Sequence, residues 1–175
     1  ENANLKKKQI DTGQILFMLA PRLNAVGRMA NAGVGVDLVT CKSLIQAKEL
    51  AQKLEQKNRQ RRSLDEKTLK EALAMVEQEV DLKNNKIILL AKDQWRPGVI
   101  GIVASRIMER YHRPTILIAI DDGIGRGSAR SVDGFDVHSA LRNCSEYLQE
   151  FGGHKYAAGL TIQAEQIPAL RKALL

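Results

Sequence analysis

At 175 residues with 44% hydrophobic content, the chain can form one sizeable core, or one compact domain with a helical extension, and is too apolar to be disordered. Aromatic residues make up only 4%, with Trp95 the sole tryptophan, so the core is expected to be aliphatic and a stacked aromatic platform for nucleobases is excluded. A formal charge of +7 and an isoelectric point near 9.5 favour polyanionic partners such as nucleic acid, gripped through the backbone.

The apolar run TGQILFMLA (residues 12–20) meets Pro21, and the segment from Arg22 to Gly35 mixes arginines with glycines, which predicts helical turns broken by loops over residues 1–42. Within it PRLNAVGR brings Arg22, Asn24 and Arg28 onto a compact basic turn suited to phosphates. From 43 to 80 there is neither Pro nor Gly, and Leu, Ala, Lys, Glu, Gln and Arg dominate, which predicts a single long helix. Its ends carry apolar residues at helical spacing, whereas the centre, Gln56 to Arg62, reads as polar all round. A helix with no core at its centre is expected to bridge two packed bodies across solvent, and to end near residue 82. The other reading is a continuous surface helix on one domain.

Beyond residue 86 strands alternate with helices, which predicts a small α/β domain over 86–175 with a mixed sheet. KIILLA (86–91) has strand length, WRPGV turns into a helix from Val99 to Tyr111, and strands follow at Thr115 to Ile120 and Gly125 to Ser131. Asp136 is a good N-cap for a helix running to Glu150. Gly152 and Gly153 then read as a break before a strand from Ala157 to Ile162, and a helix from Glu165 onward. Basic residues also change kind along the chain: 10 Lys and 5 Arg over 1–85 against 4 Lys and 8 Arg over 86–175. Arginine presents a planar fork matched to phosphate oxygens, so the second half reads as the recognising half.

In GRGSARS (125–131), strand alternation puts Arg126, Ser128 and Arg130 on one face, a hydroxyl between two guanidinium groups. An exposed strand with solvated charges explains the same pattern. FGGHKYAAG (151–159) sets His154 after Gly152 and Gly153, where the backbone can approach a ligand closely, and Ala157, Ala158 and Gly159 allow tight packing. The turn into WRPGVIGIVASR offers a helix N-terminus to an anion, although close helix-to-sheet packing explains Gly98 and Gly101 nearly as well. His112 and His138 are explained by capping or packing. The sequence has no Asp/His cluster at ligand spacing, no HExxH and no nucleophile with an identifiable base.

Cys41 and Cys144 lie far apart with no CxxC, and there is no apolar run of about 18 residues and no leader at the polar N-terminus. These features predict a soluble cytoplasmic protein without disulfide, zinc site or membrane association. A start without Met and a stop at Leu175 inside a helical pattern read as a piece cut from a longer protein.

Taken together, PRLNAVGR, WRPGVIGIVASR, GRGSARS with GFDVHSAL, and FGGHKYAAG resemble, in order and spacing, the RecJ family within the DHH phosphoesterase group. The resemblance implies a 5′-to-3′ exonuclease specific for single-stranded DNA, acting in repair and recombination, with possible contacts to other DNA-repair proteins. It implies that residues 43–82 connect a metal-bearing DHH domain, absent from this chain, to a DHH-associated α/β domain at 86–175. Two Mn²⁺ or Mg²⁺ ions would be bound by the absent domain and none by this chain, which alone would be inactive. By the same analogy Ser128 and Arg130 would grip a terminal or scissile phosphate, His154 would stand near the substrate, and Arg22 and Arg28 would track the strand. Arg126, Gly152 and Gly153 complete the expected phosphate-binding set, with no catalytic residue in this chain. The glycine-glycine-histidine motif is shared with oligoribonucleases and cyclic-dinucleotide phosphodiesterases, which leaves a nucleotide-binding module of such an enzyme as the alternative, and a pure interaction scaffold as a third. This chain departs from the family at Arg96, where His is common, and at MANAG, where an acidic residue near Ala32 is usual.

Overall fold

The long Pro- and Gly-free segment folds as one helix, and the contacts of the chain divide inside it, into one unit that ends at Leu64 and a second spanning Asp65–Leu175. The structure, a computed structural model, describes residues 10–29 and 31–175; the parts of the expected 1–42 segment at 1–9 and 30 lie outside the described residues.

In the first unit Asp11 caps α1 (Thr12–Gln14) with a capping box: its carboxylate accepts from the Gln14 amide at 2.7 Å, and the Gln14 side chain accepts from the Asp11 amide at 3.2 Å. A π-helical turn, Ile15–Leu19, leads without a break into α2 (Ala20–Met29). The expected break at Pro21 is therefore corrected to a continuous helical run. Proline lacks an amide proton and crowds the carbonyl one turn back. The widened turn before it, in which the Ala20 amide reaches Ile15 O, absorbs that misfit. α3 (Gly33–Thr40) precedes α4 (Leu44–Glu79), whose 36 residues extend about 54 Å at 1.5 Å each.

Leu50, Leu54 and Asn58 in the first unit and Asp65, Thr68, Ala72 and Val76 in the second are all buried along α4. Within each unit their spacing of three or four residues traces a helical stripe. The reading of Gln56 to Arg62 as uniformly solvated is corrected at Asn58, which is only 1% exposed and accepts from Arg61 Nη2 at 3.2 Å. A buried amide is tolerated where it is hydrogen-bonded, and that makes the stripe invisible to an apolar count.

The second unit is built on a five-stranded mixed sheet in the order β1-β2-β3-β5-β4. β1 (Ile88–Asp93) and β2 (Thr115–Asp121) are parallel, joined by α5 (Pro97–Tyr111). Asp122 and Gly123, with φ of 47° and 75°, turn β2 into antiparallel β3 (Ile124–Arg130), as a two-residue Asp-Gly hairpin requires. α6 (Val137–Asn143) follows, capped by Asp136, whose carboxylate accepts from the Ser139 amide at 2.9 Å. Then β4 (Glu150–His154) and β5 (Ala157–Gln163) form a hairpin, β5 lying between β3 and β4, before α7 (Ile167–Leu174). The helix expected to run to Glu150 thus stops at Asn143, and the glycine pair expected as a break lies inside β4. Pairing with β5 outweighs the local tendency of Gly-Gly to interrupt structure.

One sheet face is the core under α6 and α7: Leu89, Ile116, Ile118, Ala129, Ala158, Leu160 and Ile162 pack with Val137, Leu141 and Leu170. On the other face α5 buries Val99, Ile100, Val103, Ala104 and Ile107. Near the end of α4, the Glu71 carboxylate accepts from Lys92 Nζ and Trp95 Nε1, both at 3.0 Å. Those two donors hold Glu71 below its ordinary value of 4.5 despite partial burial. A carboxyl depressed in the folded state adds stability above its unfolded value, and that stability is lost as pH falls through the lower folded value. The thermal midpoint is expected to drop more steeply below pH 4.5 in the native chain than in Glu71→Gln, and parallel melting curves from pH 7 to 3 would contradict this.

Among the described residues no helix is long and apolar enough to cross a membrane.

Candidate nucleic-acid interface

Side chains on β3 divide by parity. The odd positions face the core and are small because bulky neighbours fill the space. A Cβ on Gly125 would lie 2.7 Å from Ile118 Cγ2, and one on Gly127 2.7 Å from Leu160 Cγ. The even positions, Arg126, Ser128 and Arg130, face the α5 side. Strand register extends each into a row across β3, β5 and β4. Arg130 pairs with Ala157 and Ala157 with His154; Ser128 pairs with Gly159 and Gly159 with Gly152; Arg126 pairs with Thr161 and Thr161 with Glu150. Two strand spacings put Arg130 and His154 roughly 10 Å apart between Cα atoms, within reach of one anion.

Arg130 and Ser128 are held together. Arg130 Nη1 donates to Ser128 Oγ at 3.0 Å and to its neighbour's carbonyl, Ala129 O, at 2.8 Å. α5 presses on the pair at Gly101, where a Cβ would stand 2.9 Å from both Arg130 Nη2 and Ser128 Oγ. A guanidinium fork and a hydroxyl, half-buried and held together, form a grip whose donors are chemically suited to an oxyanion. The sequence offers Gly101 as part of an anion-binding helix start or as a packing glycine; its part in shaping this grip depends on which strand lies beneath α5.

His154 ends β4 and is exposed. Its Nδ1 accepts from the Tyr156 amide at 3.4 Å, which leaves the Nε2 proton of the neutral ring to donate elsewhere. Gly153 has a packing reason: with φ of 140°, a Cβ there would lie 2.4 Å from Ala157 O and 2.6 Å from Ala158 Cα. Gly152 and Gly159 have none. A Cβ on Gly152 would meet nothing within 4 Å, and one on Gly159 only Gly127 O at 3.9 Å. The tight packing expected at Ala158 is present, since that residue is buried, but at Gly159 the surface is open. An open groove of about 840 Å³ lies there, lined among others by Arg126, Gly152, Gly159 and Thr161.

Arg22 and Arg28 belong to the first unit. Arg22 Nε donates to Glu55 Oε2 at 2.6 Å and its Nη1 to Met18 O at 2.5 Å, pinning α2 to α4. Burial pushes the Glu55 carboxyl up, but the bonds from Arg22 and Arg59 outweigh it and hold the group below its ordinary range. Arg28 is exposed in the last turn of α2. The start of α5 opens on a different cavity, lined by Asp93, Asp121 and Asp122 with Arg96, whose three carboxylates oppose an anion at that helix end. Among the described residues no group of three or more His, Cys, Asp or Glu side chains is placed to hold a metal ion, so the described residues do not fit one.

Comparison with known proteins places the chain in a family. The model of the DHHA1 domain matches residues 84–175. The single-stranded-DNA-specific exonuclease RecJ of Bacillus subtilis is 45% identical over 160 residues, covering 90% of this chain and 20% of that protein. The enzyme of the same name from Dickeya dadantii is 39% identical, covering 98% of this chain and 31% of its own length. The crystal structure of RecJ from Thermus thermophilus in complex with Mg²⁺ superposes with a TM-score of 0.83 at 33% identity, over 92% of this chain and 25% of that one. The chain therefore spans about a fifth to a third of the curated relatives it matches.

Proposed function

Because this chain belongs to the DHHA1 domain family, we propose that it is the substrate-binding part of a RecJ-like exonuclease that degrades single-stranded DNA from 5′ to 3′ in cytoplasmic repair and recombination. The observation that carries the reading is the fixed Arg130–Ser128 pair, whose Arg130 shares a sheet row with the exposed His154. In this reading the Arg130 fork and the Ser128 hydroxyl bind the non-bridging oxygens of a phosphate, and His154 Nε2 donates a hydrogen bond to it or to the adjoining sugar. Gly152 leaves space for the strand to lie against the sheet, and Arg126 neutralises a neighbouring phosphate. Gly153 acts indirectly, by letting β4 place His154. Arg22 and Arg28 would track the strand in the parent protein, Arg22 from its ion pair with Glu55.

Mn²⁺ or Mg²⁺, which activates water in two-metal phosphodiester hydrolysis, is assigned to a DHH domain in the part of the parent that this chain does not span. Curated relatives named for single-strand-specific exonuclease activity support DNA over short RNA or cyclic dinucleotides as the substrate.

With excess Mn²⁺ and labelled 5′-phosphorylated single-stranded DNA, the chain is expected to bind and not to cut. Its affinity should fall with salt at a slope of roughly −1.4, about −0.7 for each of two arginine–phosphate contacts. Robust cleavage would overturn the division of labour, and absence of binding at low salt would overturn the assignment of the face.

A further inference from the structure

Glycine inside a strand weakens it, because it adds backbone freedom to the unfolded chain and no side chain to the packing. Gly101, Gly125, Gly127 and Gly153 are each explained by an atom that a Cβ would strike at 2.9 Å or less. Gly152 and Gly159 are not: they pair directly across β4 and β5, both exposed, and each faces open space or ordinary contact distance. Neither has a positive φ that would demand glycine. The fold gives no reason for side chains to be missing there, so the bare patch is reserved for something outside the chain.

The position of the patch indicates what that is. It occupies the middle row, with Arg130 and His154 on one side and Arg126, Thr161 and Glu150 on the other. Arg126 and Arg130, four residues apart on one strand, are separated by about 14 Å along the sheet. One nucleotide of an extended polynucleotide cannot bridge that distance between phosphates, and two can. The groove of about 840 Å³ covers the Arg126 and glycine rows, and its lining includes neither Arg130 nor His154.

We propose that the Gly152–Gly159 floor with Arg126 and Thr161 is a second nucleotide subsite, so that the face recognises a strand of at least three nucleotides and not an isolated terminal phosphate. This rests on the nucleic-acid reading above. A phosphate held at Arg130 starts the strand, the sugar–phosphate backbone crosses the bare glycines at close range, and the third phosphate reaches Arg126. The exposed Glu150 carboxylate at the outer end of that row repels phosphate and confines it to the Arg126 side.

The test is a length series of 5′-phosphorylated thymidylates of one, two and three nucleotides, titrated into the chain and followed by NMR chemical shifts. Affinity is expected to rise at least tenfold between two and three nucleotides. Arg126→Ala should remove that step. Gly159→Ala should melt at the same temperature or higher, yet bind the trinucleotide several-fold more weakly. Binding without the step, a step that survives Arg126→Ala, or a Gly159→Ala chain with native trinucleotide affinity overturns the subsite and leaves the phosphate grip standing. Failure of the native chain to bind any of the three overturns the nucleic-acid reading itself.

Discussion

Replacing Gly153 with alanine is expected to destabilise the second unit by on the order of 3 kcal/mol, while the same change at Gly152, its immediate neighbour, is expected to be close to neutral. The two glycines are adjacent in β4 but meet opposite conditions. At Gly153 the backbone has φ of 140°, a region that L side chains rarely adopt, and the new methyl would fall 2.4 Å from Ala157 O and 2.6 Å from Ala158 Cα. Both obstacles are backbone, so no rotamer change relieves them; the hairpin must open or β5 must shift against β3. At Gly152 the methyl enters empty space. Equilibrium urea denaturation of the two variants beside the native chain measures the difference. Equal midpoints for both would show that the β4–β5 hairpin does not constrain the unit as described.

Arg130→Ala is expected to weaken binding of single-stranded DNA by 10- to 100-fold, equivalent to about 1.5–3 kcal/mol for a charge-assisted contact, and to flatten the salt slope by about 0.7. Arg130→Lys should recover less than half of that free energy. A lysine keeps the charge but cannot donate as a planar fork to phosphate while also bonding Ser128 Oγ and Ala129 O, as Arg130 Nη1 does at 3.0 and 2.8 Å. Gly101→Ala supplies an independent check, because its methyl would lie 2.9 Å from both Arg130 Nη2 and Ser128 Oγ and would displace the grip without deleting it. Fluorescence anisotropy at two or more salt concentrations reads all three variants. An Arg130→Ala chain with native affinity and native slope would mean that the guanidinium is solvated surface, as an interaction scaffold would have it.

Much of this architecture can be read from local pattern. The period-two alternation of GRGSAR separates Gly125, Gly127 and Ala129 from Arg126, Ser128 and Arg130, and β3 carries that division onto its two faces. The long helix is legible because nothing between residues 43 and 80 interrupts it, and it runs Leu44–Glu79. What stayed hidden depends on distant partners. β4 carries two glycines that signal interruption until β5 supplies a ladder for them. Asn58, Asp65 and Thr68 belong to buried stripes that hydropathy cannot mark, because polar side chains fill them. His154 joins the Arg130 row only through the register of β4 on β5 and β5 on β3, a relation no local window contains. The continuous run through Pro21 depends on a π-helical turn upstream that the sequence does not announce.

The insertion of β5 between β3 and β4 sets the order in which the protein can be made. During synthesis α5 and β1–β3 emerge first and can pair among themselves, yet β3 keeps a bare edge until residues 157–163 leave the ribosome. Arg130 and Ser128 are then already displayed, but the bare floor and the imidazole beside them come into being only when the last strand slots home. On the proposed nucleic-acid reading, a nascent or partly unfolded chain lacks the complete face, which is assembled only when translation of the unit is nearly complete.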